Sequence, residues 1–168
     1  ARSPSGKLIS CLATLSGENL FPSIRLVTLA GDVVMPADVE AWQRHFGSAC
    51  VLMHRFSATE TGMLCVARIE PGMVSHPFVL PPAPPVEDKH LEIVDESGEP
   101  VPPGEVGELL VRSAFIAEGY WRPAGQADGA FEPDPEVPGR RIYRTGDLAR
   151  VMPDGGLVFL GRRDRQVK

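Results

Sequence analysis

Two short segments carry side chains suited to phosphate and sugar. Thr59-Glu60-Thr61-Gly62 sets a hydroxyl on each side of a carboxylate and ends in a glycine. Hydroxyls and amides donate to phosphate oxygens, a carboxylate holds a hard cation such as Mg²⁺, and glycine lets backbone approach a ligand. Phe56, just upstream, offers a flat face for a purine, a stacking contact worth about 1–3 kcal/mol per base in nucleic-acid complexes. The same residues also describe an ordinary loop with a helix cap. Thr145-Gly146-Asp147 is the second segment. An Asp can accept hydrogen bonds from a ribose diol, as acidic residues do in dinucleotide folds. It reads equally as a turn ahead of a strand. Arg162, Arg163 and Asp164 add charges that, taken alone, describe a solvated cluster.

The elements around these segments must hold them. Residues 24–30 are apolar and β-branched, end at Gly31, and predict a strand. Pro36 suits a first helical turn, where its missing N–H costs nothing. Val39, Trp42 and Phe46 follow at helical spacing, with Gly47 placed for a left-handed cap. Residues 49–53 are apolar without alternation and predict a second, fully buried strand. Strand, helix and strand at this spacing predict a βαβ unit with a parallel sheet. Ligands bind such sheets where strands end, here the loop of residues 54–62.

Prolines over 77–85 interrupt both periodicities and predict a boundary. Beyond it the chain turns all-β. Residues 90–94 lead into a turn at 95–98, residues 106–112 read as a strand, and Pro153-Asp154-Gly155-Gly156 joins two more as a hairpin. The expected fold class is α/β followed by all-β, a partial parallel α/β subdomain plus a small β-barrel-like subdomain.

Composition narrows the function classes. The 168 residues suffice for one domain or two small ones, and 43% hydrophobic content supports a packed core. Gly and Pro number 17 each, which suits short strands and tight turns. A formal net charge of -5 without a basic run argues against nucleic acid as a partner. Cys11, Cys50 and Cys65 are odd in number and lack a Cys-x-x-Cys spacing, as expected of reduced thiols in a cytoplasmic protein. His45, His54, His76 and His90 make no zinc pattern. No apolar stretch approaches the roughly 20 residues of a membrane span, and no signal peptide is expected.

Taken in order, five segments change the weight of each. They are Ala30-Gly31-Asp32, Phe56 to Gly62, Gly107-Glu108-Leu109-Leu110-Val111 with Gly119-Tyr120-Trp121, Tyr143-Arg144-Thr145-Gly146-Asp147-Leu148, and Gly161 to Lys168. Together they resemble the adenylate-forming (AMP-binding) superfamily, which includes acyl-CoA synthetases, luciferase-like enzymes and the adenylation domains of nonribosomal peptide synthetases. The Gly-Arg-x-Asp-x-Gln-Val-Lys ending is most similar to the peptide-synthetase branch.

The resemblance implies roles residue by residue. Glu60 would bind Mg²⁺, with Thr59 and Thr61 facing the phosphates of ATP. Phe56 stands where the family usually has Tyr against adenine. Gly31, Asp32 and Val33 would line the adenine edge, Asp147 would hold the ribose hydroxyls, and Phe159 and Arg162 would also reach the nucleotide. Asp164 matches the hinge to a small C-terminal domain. Thr28, Ala30, Arg55, Met63 and Leu64 fall where the acyl pocket is usually lined. The implied organisation is residues 1–76 as the later part of an α/β subdomain, 77–161 as the β-barrel-like subdomain and 162–168 as the hinge.

The family's Tyr-Gly-Pro-Thr-Glu is here Phe56-Ser57-Ala58-Thr59-Glu60, with small residues that still let the loop pass close to a ligand. Arg55 replaces a small residue; if buried it needs an acidic partner such as a substrate group, and otherwise it points to solvent. The family's phosphate loop is expected upstream and its catalytic Lys downstream, neither within this sequence. The parent reaction implied is carboxylic or amino acid plus ATP to acyl-AMP and pyrophosphate, then transfer to a thiol, the phosphopantetheine of a carrier protein. Two alternatives stay open, a non-catalytic remnant or docking module and a fragment of an acyl-CoA synthetase-type ligase. Absence of the remaining parts should leave apolar surface exposed on the α/β side.

Overall fold

A computed structural model describes residues 12, 14–31, 34–70, 79–80, 83–121 and 129–163. Strand β1 (Leu26–Ala30), helix α1 (Pro36–His45) and strand β2 (Val51–Ala58) form the expected βαβ unit. β1 and β2 pair in parallel, from Leu26 opposite Val51 to Ala30 opposite Arg55. Pro36 takes the first helical position, and the Asp38 carboxylate accepts the Met35 N–H at 2.8 Å. The helix buries Val39, Ala41 and His45. It does not close on a left-handed Gly47 as the sequence suggests. Phe46 already turns extended (φ -111, ψ 152), where it bridges to Phe21 and packs ring to ring at 5.2 Å. That tertiary contact pulls the chain straight one residue before the glycine.

The second strand also departs from expectation. β2 does not give way to a loop at residue 54 but runs on to Ala58 and returns antiparallel as β3 (Gly62–Ile69). Residues 59–61 alone make the turn, and a bulge falls between Phe56 and Ser57. Nor is β2 buried on both faces. Leu52 and His54 are buried while Arg55 and Ser57 are exposed, because only one face packs on the core.

The second sheet is antiparallel and curls as a half-barrel. Its strands are β4 (Val79–Leu80), β5 (His90–Val94), β6 (Gly107–Ser113), β7 (Phe131–Pro133), β8 (Arg141–Val151) and β9 (Leu157–Arg162). The order is β4-β9-β8-β6-β5, with β7 also on β8. The α/β-then-β class read from the sequence holds. β4 lies within the proline stretch, which an edge strand tolerates.

The two sheets share a core. Leu29, Leu52, Cys65, Ala67 and Ile69 pack with Ile93, Leu109, Ala149 and Leu157 across the gap. A second cluster joins Leu64 to Val111, Ile116, Phe131 and Tyr143, and Phe56 packs against both clusters. The Val86 N–H adds a backbone tie to the Leu64 carbonyl at 2.8 Å. Leu15, Leu20, Ile24 and Leu26 are exposed, but so are Val106, Phe115, Trp121 and Leu160, so exposed apolar side chains are not confined to the α/β side. Cys50 and Cys65 are free and buried, while Cys11 and His76 lie outside the described residues. No helix among the described residues is long and apolar enough to cross a membrane.

Candidate functional site

The β2–β3 hairpin puts Glu60 at the apex of a tight turn, where Thr61 N–H bonds the Ala58 carbonyl at 3.3 Å and Gly62 takes φ +68. The Tyr120 hydroxyl donates to Glu60 Oε1 at 2.5 Å and lies 3.3 Å from the Tyr143 hydroxyl. The Ala117 N–H donates to the Glu60 carbonyl at 2.8 Å. Thr59 is exposed. Thr61 is buried, its hydroxyl donating to the Gly62 carbonyl at 3.3 Å. Burial, then the Tyr120 hydrogen bond, pushes the Tyr143 phenol well above its ordinary range, so it stays protonated.

This turn fits a divalent cation. Glu60 forms no ion pair among the described residues, and only its Oε1 accepts a hydrogen bond there, which leaves Oε2 for a metal. No group of three or more His, Cys, Asp or Glu gathers among the described residues. A single carboxylate suits Mg²⁺, which takes one or two carboxylates plus substrate phosphates rather than a protein cage.

The second segment is not a turn ahead of a strand. Thr145-Gly146-Asp147 lies inside β8, at a bulge where pairing steps from Leu110–Arg144 to Glu108–Leu148. Gly146 takes φ +72, a conformation that favours glycine. The Thr145 hydroxyl donates to the Leu109 carbonyl at 2.8 Å and accepts the Asp147 N–H at 3.0 Å. Glu108, buried beneath the bulge, accepts the Gly146 N–H at 3.0 Å. Opposite Asp147 on β9 stands Arg162, which donates to the Thr145 carbonyl at 3.1 Å and to Asp147 Oδ1 at 3.3 Å. Asp147 Oδ2 has no hydrogen bond among the described residues and is open to a diol. Arg162 is therefore held by the β8 bulge rather than left as a solvated charge. Arg163 is half-exposed, and its N–H donates to the Gly146 carbonyl at 2.7 Å.

Phe56 links the two segments. Its ring sits 4.8 Å from that of Phe159 at 51°, joining β2 to β9. Phe159 precedes Arg162 on the same strand by roughly 10 Å at about 3.3 Å per residue.

The other expected residues divide. Gly31 is exposed at the end of β1 with φ +84, whereas Asp32, Val33 and Asp164 lie outside the described residues. Thr28, Ala30 and Arg55 are exposed, and the β1–β2 register sets them on one face. Arg55 is thus not a buried cation in need of a partner. Met63 is half-buried opposite Ser57. Leu64 does not join this face; it is buried in the core against the second sheet. Three residues at the site have no assigned role in the sequence reading: Glu108, Tyr120 and Tyr143. Each lies in a segment quoted above, but the partners of each come from strands far away in the chain.

A family model described as AMP-binding enzyme matches residues 7–121. Chondramide synthase cmdD of Chondromyces crocatus is 39% identical over 166 residues, which cover 95% of this chain and 4% of that protein. The Vibrio cholerae adenylation domain AlmE, solved in complex with glycyl-adenosine-5'-phosphate, superposes with a TM-score of 0.72 at 29% identity, covering 96% of this chain and 30% of that one. A solved NRPS protein containing adenylation and PCP domains gives a TM-score of 0.69 at 29% identity, over 86% of this chain and 29% of its own. The chain spans less than a third of each of these proteins.

Proposed function

The chain belongs to the AMP-binding enzyme family, and on that premise we propose that it supplies the adenine, ribose and Mg²⁺ face of an adenylate-forming site. The observation that carries this reading is the Phe56–Phe159 contact at 4.8 Å. It joins the strand leading to Glu60 with the strand bearing Arg162, and so ties the two separate segments together.

The parent reaction joins a carboxylic or amino acid to ATP, giving acyl-AMP and pyrophosphate. Phe56 and Phe159 bound the adenine, with Gly31, Asp32 and Val33 along its edge. Asp147 accepts from the ribose hydroxyls through Oδ2, while Arg162 fixes the carboxylate by holding Oδ1. Glu60 holds Mg²⁺, and Thr59 belongs to the phosphate side, with Thr61 supporting the turn from its buried position. Bound there, Mg²⁺ would offset phosphate charge as the substrate carboxylate attacks. Thr28, Ala30, Arg55 and Met63 face the acyl group, with Leu64 supporting from the core, and Asp164 serves as the hinge. The adenylation-plus-PCP neighbour supports a carrier-protein phosphopantetheine as acceptor in preference to coenzyme A.

Amino-acid-dependent ATP–pyrophosphate exchange in the full-length protein carrying this chain tests the reading. Glu60→Gln is expected to slow exchange about 100-fold or more, the scale of losing one charge-stabilising group. Asp147→Ala is expected to raise the KM for ATP. The 168 residues alone should show weak nucleotide binding and no exchange. Robust exchange by those residues alone, or wild-type exchange in both variants, sinks the proposal.

A further inference from the structure

We infer that Tyr120 is a positioning residue for Glu60: its hydroxyl, backed by Tyr143, fixes the carboxylate so that Oε2 meets the cation. This rests on the reading of Glu60 as the Mg²⁺ ligand.

The direction of the hydrogen bonds follows from chemistry. An ionised carboxylate only accepts, so the 2.5 Å contact uses the single proton of Tyr120. The Tyr120 oxygen must then accept in the 3.3 Å contact with Tyr143, which makes Tyr143 the donor. The relay therefore runs Tyr143 to Tyr120 to Glu60. Its first link is long for an O–H···O bond and its second is short and charge-assisted, so the second dominates.

Both phenols are held by packing. Tyr143 is buried among Leu64, Val111, Ile116 and Phe131. The Tyr120 ring meets Phe131 edge-on at 5.2 Å and 77°. The segment that carries Tyr120 is tied down separately. Lys89 Nζ donates to the Phe115 carbonyl at 3.1 Å, Arg141 to the Glu118 carbonyl at 2.8 Å, and the Ala117 N–H to the Glu60 carbonyl at 2.8 Å. Ile116 sits in the core. Tyr120→Phe thus removes the hydroxyl that donates to the Glu60 carboxylate and leaves the segment in place. A flexible glutamate at a turn apex loses its fixed orientation, and partners that orient a metal ligand typically contribute 10- to 100-fold in metal affinity.

The test is a Mn²⁺ titration followed by electron paramagnetic resonance, on the full-length protein with a non-hydrolysable ATP analogue. AMP affinity in EDTA and thermal melting run alongside. Tyr120→Phe is expected to raise the Mn²⁺ Kd about 10-fold, with AMP affinity and melting near wild type. Tyr143→Phe should raise it less, in the same direction. Loss of Mn²⁺ binding in Glu60→Gln with a wild-type Kd in both Phe variants overturns the positioning role alone. A wild-type Kd in Glu60→Gln overturns the metal-ligand reading and this inference with it. If Tyr120→Phe does not fold, Tyr143→Phe decides, a wild-type Kd again counting against the relay.

Discussion

Replacing Glu108 probes how the Thr145-Gly146-Asp147 bulge on β8 is held. Glu108 is 7% exposed beneath the bulge, where Oε1 accepts the Gly146 N–H at 3.0 Å. Its Oε2 lies 3.5 Å from both Arg144 and Arg163, whose side chains are 31% and 50% exposed. Glu108→Ala strands the Gly146 amide, a cost of about 1–3 kcal/mol. The arginine pairs, long and partly solvated, add about 0–1 kcal/mol each. Removing a buried carboxylate also removes its desolvation cost, which offsets part of the loss. The expected net is about 2–3 kcal/mol, or roughly 4–12 °C in melting temperature for a chain of this size. Glu108→Gln keeps an acceptor for Gly146 and should cost about 1 kcal/mol. Urea unfolding with unchanged slope measures both. Asp147 follows Gly146 directly, so AMP affinity in the full-length protein should weaken with Ala and hold with Gln. A Glu108→Ala variant within about 0.5 kcal/mol of wild type would refute the reasoning, because surface-like tolerance is incompatible with a stranded buried amide. Equal costs for Ala and Gln would show that charge, not the amide contact, sets the loss.

Other outcomes follow from the same packing. At Gly107 an added Cβ would sit 2.2 Å from the Val94 carbonyl oxygen and 2.8 Å from its carbon, both backbone atoms. Gly107→Ala should therefore push β5 from β6 and cost about 1–3 kcal/mol or more, measurable as a lower urea midpoint. Burial pushes the Cys65 thiol up from 9.0 to about 11. Native protein should resist iodoacetamide at pH 8 at this residue, with mass spectrometry of the Cys65 peptide as the readout. Between pH 9 and about 11 the unfolded thiol loses its proton while the folded one keeps it. Stability is thus fully present below that window and falls as pH rises through it, by about 2–3 kcal/mol at the top. Cys65→Ala should flatten this alkaline slope, and an unchanged slope would count against it.

Much of the architecture was legible because local patterns agree with it. Pro36 and the apolar spacing after it mark α1, and Pro153-Asp154-Gly155-Gly156 marks the β8–β9 hairpin. The misreadings share one cause, which is that non-local contacts overrode a local signal. His54, Arg55 and Ser57 look like the start of a loop, yet pairing with β3 carries them as strand. Gly47 looks like a helix cap, yet the bridge to Phe21 ends the helix at Phe46. Thr145-Gly146-Asp147 looks like a turn, yet β6 holds it as a bulge through Leu109 and Glu108.

By itself the sequence determined the family, the order of the elements and the residue types that could meet a nucleotide, since these depend on motif chemistry and near-neighbour spacing. The tertiary structure alone decided which of them meet. Asp147 and Arg162 pair only because β8 and β9 are in that register. Leu64 leaves the face of Thr28, Ala30 and Arg55 for the core between the sheets. Glu60 and Tyr120, 60 positions apart, meet only because the β2–β3 turn lies under the segment that β6 releases. Periodicity along the chain carries no information about contacts at such separations; burial of the shared core does.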